Sequence, residues 1–182
     1  MDTKTETFEN SPIQLSTDRL YLRNCIVEDV HALKEAINDY LIADMMNDSI
    51  PFPYNLNHAQ QWIKRHKNDS LESSSISLIV FKKNHQLIGS ASIHILEPGK
   101  GRLSYWIKRS QWGKGYATEA GRCFLNFAFK SMKLHKVEAE HYERNPASGR
   151  VLNKLGFTYS HTTSKKVHEK IENFCNYYII QR

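Results

Sequence analysis

The stretch Ser104–Ala120, SYWIKRSQWGKGYATEA, is the part of the chain from which the rest is interpreted. It joins a predicted strand to a long predicted helix through a turn that contains Gly113 and Gly115. Glycine lets the backbone approach a ligand closely. The first N–H groups of the following helix have no intrahelical partners and lie at its positive dipole end. The turn and the helix start therefore predict a cradle for a pyrophosphate group.

A single Gly-x-Gly pair is weak evidence on its own, because a tight structural turn also uses it. The pattern is not a dinucleotide fingerprint, since the third glycine is missing and the preceding strands form a meander. It is not a Walker loop either, since no Gly-Lys-Ser or Gly-Lys-Thr occurs there. The context of the turn along the chain therefore has to carry the interpretation.

Hydrophobic periodicity predicts elements in the order β-α-α-β-β-β-α-β-α-β-β, which places a mixed sheet between helices. Asp29 and Asn57 are the expected N-caps of the first two helices. No repeat or linker divides the chain, so we expect a flexible tail over residues 1–14 and a single domain over 15–182. The predicted strands are 15–23, 76–81, 87–96, 102–108, 136–142, 157–161 and 174–180, and the predicted helices are 29–38, 57–67, 117–132 and 148–155.

Composition limits the class of protein without choosing a function. The chain has 182 residues, 40% of them hydrophobic, and a net charge of +6, so it is expected to fold and to suit an anionic ligand. The lysines and arginines are scattered without a nucleic-acid-binding motif, so no direct nucleic-acid binding is expected. The three cysteines are isolated, which predicts free thiols and no metal site. No signal peptide or membrane-length apolar segment is present in the sequence, so we expect a cytoplasmic protein without membrane contact.

Three motifs in the right order resemble those of the GNAT acetyltransferase superfamily. SYWIK at 104–108 with WGKGYATEA at 112–120 resembles its acyl-CoA-binding core, and NPASGRVLNKLGF at 145–157 resembles its last conserved block. TDRLYLR at 17–23 is similar to the start of the ribosomal-protein N-terminal acetyltransferases, the RimJ/RimL-like branch. The resemblance spans residues 15–182. It implies an α/β fold with a mixed, mostly antiparallel sheet of about seven strands, about four flanking helices, and a splayed strand pair that forms an acyl-CoA cleft.

The resemblance also implies the co-substrate, acetyl-CoA, and the residues that hold it. Backbone groups of Trp106, Ile107 and Lys108 would pair with the pantetheine arm, as a peptide adds to a sheet edge. Asn145 would hydrogen-bond the pantetheine from the facing strand; turn formation with Pro146 is the alternative, and Asn145 can do both. The pyrophosphate would rest on the turn and helix start, at Gly113, Lys114, Gly115, Tyr116, Ala117 and Thr118, although the Lys114 side chain can equally point to solvent.

The catalytic groups implied by the resemblance are incomplete. Many superfamily members place a proton-donating tyrosine seven residues after the asparagine, where this chain has Leu152. Ser148 occupies the position of the serine that serves as the acid in the ribosomal-protein branch, and the expected helix start beside it would favour a leaving thiolate. The alternative is that Ser148 is only an N-cap.

The general base is left open by the sequence. Arg102 and Ser160 stand where related sequences often carry glutamate. His94 and His141 lie on predicted strands, and histidine titrates near neutral pH. His141 shares strand parity with Asn145 and is the candidate base, with a hydrogen-bonded core histidine as an equal alternative. Glu119 is expected to stabilise the helix rather than to act in catalysis.

The expected reaction is transfer of acetyl to a primary amine, and a protein N-terminal α-amine fits a weak base best. An α-amine with a pKa near ~8 is neutral about a tenth of the time at pH 7, and a lysine with a pKa near ~10.4 only about once in 2,500. A polyamine, antibiotic or metabolite amine, or a non-catalytic acyl-CoA-binding module, remains an alternative. We expect a monomer or homodimer. Specificity is expected in the loop 44–56, with Trp106 at the pocket and Phe52, Tyr54 and Trp62 in the core.

Overall fold

A computed structural model describes residues 12–46, 50–167 and 171–181 of the chain. Within these ranges eight strands form one sheet in the order β1-β2-β3-β4-β5-β6-β8-β7, in which neighbours are antiparallel except for the parallel pair β5–β6. Five α-helices in the same ranges flank the sheet. The strands are β1 Gln14–Ser16, β2 Leu20–Arg23, β3 Ser75–Lys82, β4 Leu87–Glu97, β5 Lys100–Ile107, β6 Lys136–Tyr142, β7 Thr158–Val167 and β8 Ile171–Gln181, and the helices are α1 Val30–Ile37, α2 Tyr40–Asp44, α3 Leu56–His66, α4 Tyr116–Lys130 and α5 Pro146–Leu155.

Two apolar clusters lie on opposite faces of the sheet. One packs the inner sides of α4 and α5, through residues such as Phe124 and Leu152, against Leu103 and its sheet neighbours. The other packs α1, α2 and α3 against Ile79, Phe81 and Trp106. The mixed, mostly antiparallel sheet between helices is confirmed, with one strand and one helix more than predicted.

The extra strand arises because the predicted strand 15–23 is broken. Thr17 N donates to Leu20 O at 2.9 Å, which makes a turn between β1 and β2. The sequence predicts a flexible tail over residues 1–14. Residues 1–11 of that stretch lie outside the described residues. At its end Ile13 N donates to Asn24 Oδ1 at 2.6 Å, and β1 begins at Gln14.

The structure differs from the prediction at the starts of three helices, α2, α3 and α5. Sequence periodicity missed α2, which has five residues and is capped by Asp39, whose carboxylate accepts from Leu41 N. The N-cap of α3 is Asn55 rather than Asn57, and its Oδ1 accepts from His58 N at 3.0 Å. Helix α5 begins at Pro146, two residues before the predicted start at Ser148.

Candidate active site

The divergence of β5 and β6 opens a cavity at the edge of the two strands. The two strands pair at Lys100–Arg102 with Lys136–Glu138, and no further pairing between them occurs among the described residues. A cavity of about 510 Å³ opens beyond that point. It brings together the divergent strands, the turn at 112–115, the first turns of α4 and α5, and α2. The splayed pair expected for an acyl-CoA cleft is therefore present.

Along β5, the backbone N–H and C=O groups that are not directed at β4 belong to alternate residues. Lys108 N donates to Ile88 O of β4 at 2.7 Å, and backbone groups alternate between the two edges of a strand. Tyr105 and Ile107 therefore direct their backbone groups away from β4, and Ile107 O accepts from Trp112 Nε1 at 2.6 Å. Trp106 directs its backbone groups, and Lys108 its N–H, toward β4. This register contradicts the prediction that the backbones of Trp106 and Lys108 pair with the pantetheine arm. The Trp106 side chain does line the cavity.

The pyrophosphate turn has the backbone that its glycines predicted. Gly113 and Gly115 have φ angles of 74° and 81°, in the left-handed region that favours glycine. Gly115 is the N-cap of α4 and provides no side chain to cap the helix. The early N–H groups of α4, at Tyr116, Ala117 and Thr118, lie at residues that line the cavity. A Cβ added at Gly113 would meet no atom within 4 Å, so the turn is open to a ligand and fits a diphosphate.

The side chains of Lys114 and Lys108 are directed elsewhere, and neither residue lines the cavity. Lys114 Nζ donates to Ser110 O at 3.0 Å and to Gln111 Oε1 at 3.1 Å. Lys108 Nζ donates to Glu35 Oε1 at 2.9 Å. In this arrangement neither ammonium group lies in the cradle.

Glu119 fixes the cradle to the first strands. Its Oε1 accepts from Thr17 Oγ1 at 2.6 Å and from Arg19 N at 3.1 Å, and its Oε2 accepts from Arg19 Nε at 2.6 Å. Arg19 also donates to Lys114 O at 3.1 Å and lies over the Tyr116 ring at 4.6 Å. Burial raises the pKa of Glu119, but the hydrogen bonds from Thr17 and Arg19 outweigh it, so the net pKa is lowered. The structural role expected for Glu119 is confirmed.

Asn145 and Ser148 form the start of α5. Asn145 is the N-cap, and its Oδ1 accepts from Ser148 N at 3.2 Å. Among the described residues nothing accepts a hydrogen bond from Asn145 Nδ2, so that group is available at the cavity wall. The alternative that Ser148 is the N-cap is wrong, since it occupies the third helical position.

The Ser148 hydroxyl is paired with a residue that sequence reasoning did not select. Tyr105 Oη lies 2.9 Å from Ser148 Oγ, and either oxygen can donate. Both residues line the cavity. Burial raises the pKa of Tyr105 to about 12, with the hydrogen bond to Ser148 acting in the opposite direction. The phenol is therefore protonated at neutral pH, and the two hydroxyls form a donor pair at the cleft.

His141 is buried beneath α5. Its Nδ1 lies 2.7 Å from Tyr142 O, and because a carbonyl only accepts, Nδ1 carries the proton. The lone pair of Nε2 faces Tyr178 Oη at 3.5 Å. A Cβ added at Gly149 would lie 2.7 Å from Nε2, so the backbone of α5 crosses this nitrogen closely. His141 lines the cavity, but its accepting nitrogen is directed at α5 and Tyr178.

Arg102 and Ser160, the two positions where related sequences often carry glutamate, differ in their surroundings. Arg102 lines the cavity, whereas Ser160 is exposed and pairs with His161 Nδ1 at 3.0 Å. His94 is exposed on β4 and does not line the cavity. Glu140, which the sequence interpretation overlooked, places a carboxylate-bearing residue at the cavity wall. Strand alternation along 136–142 is the signal that places it on the same face as Glu138.

Helix α2 and the residues after it close one side of the cavity with Ile42, Met45 and Met46. Arg144 Nη2 donates to Asp44 O at 2.6 Å and ties this segment to the loop after β6. Residues 47–49 of the predicted specificity loop lie outside the described residues. Of the four aromatic residues considered, Trp106 lines the cavity, Tyr54 and Trp62 belong to the apolar cluster under α3, and Phe52 is 52% exposed.

Other expectations concern the chain as a whole. All three cysteines are free thiols, as expected. In residues 12–46, 50–167 and 171–181, no group of three His, Cys, Asp or Glu side chains could hold a metal ion. Over the same ranges, no helix combines the length and apolar character that crossing a membrane requires.

The fold and the cleft are those of a known family. The model of the acetyltransferase (GNAT) domain matches residues 19–158. Over 146 residues the chain is 31% identical to an uncharacterized N-acetyltransferase, p20, of Bacillus licheniformis, covering 79% of this chain and 81% of that protein. The chain therefore belongs to the GNAT family of N-acetyltransferases, enzymes that take the acetyl group from acetyl-CoA.

Solved structures of this family share the fold at low sequence identity. RimL, a ribosomal α-N-protein acetyltransferase in complex with coenzyme A, superposes with a TM-score of 0.81 at 18% identity, covering 94% of this chain and 98% of that chain. Spermidine N-acetyltransferase of Vibrio cholerae, in complex with CoA and spermine, superposes with a TM-score of 0.76 at 16% identity, covering 91% and 96%. The neighbours differ in acceptor, so the fold alone does not identify the amine.

Proposed function

We propose that this N-acetyltransferase acetylates the α-amine at the N-terminus of a protein or peptide, with ribosomal proteins as the leading class of acceptor. The observation that carries the proposal is the lack of a strong base at the expected positions of the cleft. Arg102 and Ser160 replace the glutamates of related sequences, and the accepting nitrogen of His141 is directed at α5. An acceptor that is already partly neutral at pH 7 suits such a site.

The donor side of the reaction is proposed to use the cradle and the cleft edge. Backbone N–H groups at the start of α4 hold the diphosphate, and backbone groups of Tyr105 and Ile107 face the pantetheine arm. Asn145 contributes its free Nδ2 group from the opposite wall. These contacts fix the thioester beside the hydroxyl pair of Ser148 and Tyr105, which lie 2.9 Å apart.

The chemical step is attack of the neutral amine nitrogen on the thioester carbonyl carbon. The new C–N bond forms, the C–S bond breaks, and the sulfur leaves as a thiolate. Ser148 donates a proton to that sulfur, and the proton lost by the amine passes to water and restores the Ser148 hydroxyl. A positioned acid of this kind contributes about 10²- to 10⁴-fold.

A small amine is the second candidate acceptor, supported by the fold shared with spermidine N-acetyltransferase. A polycation is disfavoured by Arg102 at the cavity wall. A non-catalytic acyl-CoA-binding module is disfavoured by the paired hydroxyls. Ribosomal-protein acceptors also require a cytoplasmic enzyme, which is the location we propose.

The test is a thiol-release assay with acetyl-CoA and matched acceptors, with the modified atom located by mass spectrometry. One peptide carries a free α-amine and no lysine, and a second has the same sequence with an acetylated N-terminus and one lysine. Spermidine represents the small amines. We expect kcat/KM for the first peptide to exceed the others at least about tenfold, in line with the neutral fractions of the amines. Preference for spermidine would overturn the proposed acceptor, and no thiol release with any amine would overturn transfer itself.

A further inference from the structure

Arg102 lies on β5 just where β5 and β6 begin to diverge. In the sheet register it faces His94 of β4 and Glu138 of β6. Paired residues share a face of the sheet, and so do residues two apart on a strand, so Arg102 lies on the same side as Trp106, which packs against the helices α1 to α3. The Arg102 side chain is 37% exposed, and the residue lines the cavity.

The positive charge of Arg102 is poorly neutralised. Glu138 is shared by three cations, with Lys100 Nζ at 2.9 Å, Arg102 Nη2 at 3.8 Å and Lys136 Nζ at 3.9 Å. Lys100 makes the shortest contact and also lies 3.5 Å from the exposed Glu97. Lys100 and Lys136 lie against Oε1 of Glu138, and Arg102 faces Oε2 at 3.8 Å, beyond hydrogen-bond distance, so the charge of Arg102 is only partly offset at the cavity wall.

One donor of the Arg102 guanidinium has no partner. The Nε atom is buried, and nothing in the part of the chain that the structure describes accepts a hydrogen bond from it. A buried donor without a partner is uncommon in folded proteins, so the protein alone does not satisfy this guanidinium. Because Nε is buried, the Nη end is the part of the guanidinium that can present N–H groups to the oxygens of a carboxylate.

We propose that Arg102 binds a carboxylate of the acceptor, so that this enzyme selects α-amines with an acidic side chain in the first two residues of a peptide. The inference rests on the proposed α-amine function and names the acceptor more narrowly. Glu140 lies two residues beyond Glu138 on the same face of β6 and also lines the cavity. The cleft thus offers a cation for the carboxylate of the acceptor, and an acidic residue lines the same cavity.

The experiment compares kcat/KM for acceptors that differ only in one charge. The peptide pair has Glu or Gln at position 2, and a small-molecule pair is a free amino acid and its amide. The variants are Arg102→Gln, Arg102→Glu and, as a control that removes an equal charge from the exposed side of α3, Arg65→Gln. Thermal unfolding and acetyl-CoA affinity are measured for each variant to verify folding and donor binding.

We expect the wild type to prefer the Glu peptide about tenfold or more, as a charge-assisted hydrogen bond allows. Arg102→Gln should abolish the preference, Arg102→Glu should reverse it, and Arg65→Gln should keep it. Equal rates for the Glu and Gln peptides in the wild type, or a preference that persists in Arg102→Gln, would overturn the inference and leave the α-amine function standing. Arg102-dependent acetylation of the free amino acid without acetylation of either peptide would retain the carboxylate contact and overturn the peptide acceptor. No acetylation of any acceptor would overturn both.

Discussion

At the scale of single residues, the proposed mechanism depends on two hydroxyl groups of the cleft. Tyr105 Oη and Ser148 Oγ lie 2.9 Å apart and come from elements 43 positions apart in sequence. The elevated pKa of Tyr105, about 12, keeps its proton in place at neutral pH. In the proposed mechanism Tyr105 is therefore a positioning residue that orients the Ser148 hydroxyl.

Tyr105→Phe removes this partner with little change in volume. We expect kcat to fall about tenfold, the equivalent of one net hydrogen bond, with little change in KM for acetyl-CoA. Ser148→Ala should lower kcat by about 10² or more because it removes the donor itself. Below pH 10 the shape of the pH–rate profile should not change in Tyr105→Phe, since Tyr105 does not titrate there.

Thiol release under steady-state conditions gives these constants. Tyr159→Phe is the matched control, because Tyr159 is 52% exposed and bonds only to Thr162 among the described residues. Unchanged kcat in both Tyr105→Phe and Ser148→Ala would show that neither hydroxyl protonates the thiolate.

At the scale of secondary-structure elements, the start of α4 is held in place by the turn between β1 and β2. Glu119 accepts from Thr17 and twice from Arg19, and Arg19 reaches Lys114 O in the pyrophosphate turn. The cradle is consequently fixed by contacts about 100 positions apart in sequence. This arrangement explains how a glycine-rich turn keeps one conformation.

Glu119→Gln should weaken both the fold and donor binding. Loss of the charged acceptor is expected to lower the free energy of unfolding by about 1–3 kcal/mol at pH 7 and to raise the Kd for acetyl-CoA several-fold, with kcat little changed. The pKa of Glu119 is lowered from 4.5 in the folded state. Its stabilisation is therefore complete above that pH and is lost as the pH falls through the folded-state value.

Urea unfolding of wild type and Glu119→Gln at pH 7 and at pH 4 measures the difference. The difference in the free energy of unfolding between the two proteins should be smaller at pH 4 than at pH 7. Glu28→Gln, which changes an exposed glutamate, should show no gap at either pH. A gap that is equal at both pH values would contradict the charged role of Glu119.

Sequence patterns predicted the elements that have strong local signals. Strand β6 was predicted at its observed bounds, 136–142, and α4 within two residues at each end. Helix α2 was missed because five residues show no full period and the signal is a single Asp39 cap. The glycine turn was predicted because the backbone conformation it requires is local. The Tyr105–Ser148 pair was not predicted, since it depends on where the fold places α5 relative to β5.

At the scale of the whole molecule, stability at high pH is limited by buried thiol and phenol groups that keep their protons in the folded state. Burial raises the pKa of Cys25 from 9.0 to about 12, with Asp29 and Asp69 adding to the effect. Burial likewise raises the pKa of Tyr54 and of Tyr105 from 10.0 to about 12. The unfolded chain loses these protons first, so stability is complete below the unfolded-state pKa values and falls as the pH rises toward 12.

Cys25 should contribute most between pH 9 and pH 10, because burial raises its pKa to about 12, whereas the smaller rise in the pKa of Cys123 adds less. For this group we expect the free energy of unfolding to decrease by up to about 1.4 kcal/mol per pH unit. Cys25→Ala should be less stable at pH 7 because it loses buried volume, yet its stability should change less between pH 9 and pH 10. Denaturant unfolding at half-unit pH steps measures both slopes, and parallel curves would contradict the assignment to Cys25.

Calorimetric titration tests most directly whether the backbone at the start of α4 binds the diphosphate of the donor. The ligands are acetyl-CoA and acetyl-pantetheine, which has the same thioester arm without the diphosphate, and the proteins are wild type and Gly115→Val. Because φ at Gly115 is 81°, valine should displace the turn and weaken acetyl-CoA binding at least about tenfold. Acetyl-pantetheine should bind both proteins weakly and equally. Equal acetyl-CoA affinity in the two folded proteins, or equal loss for both ligands, would contradict the account.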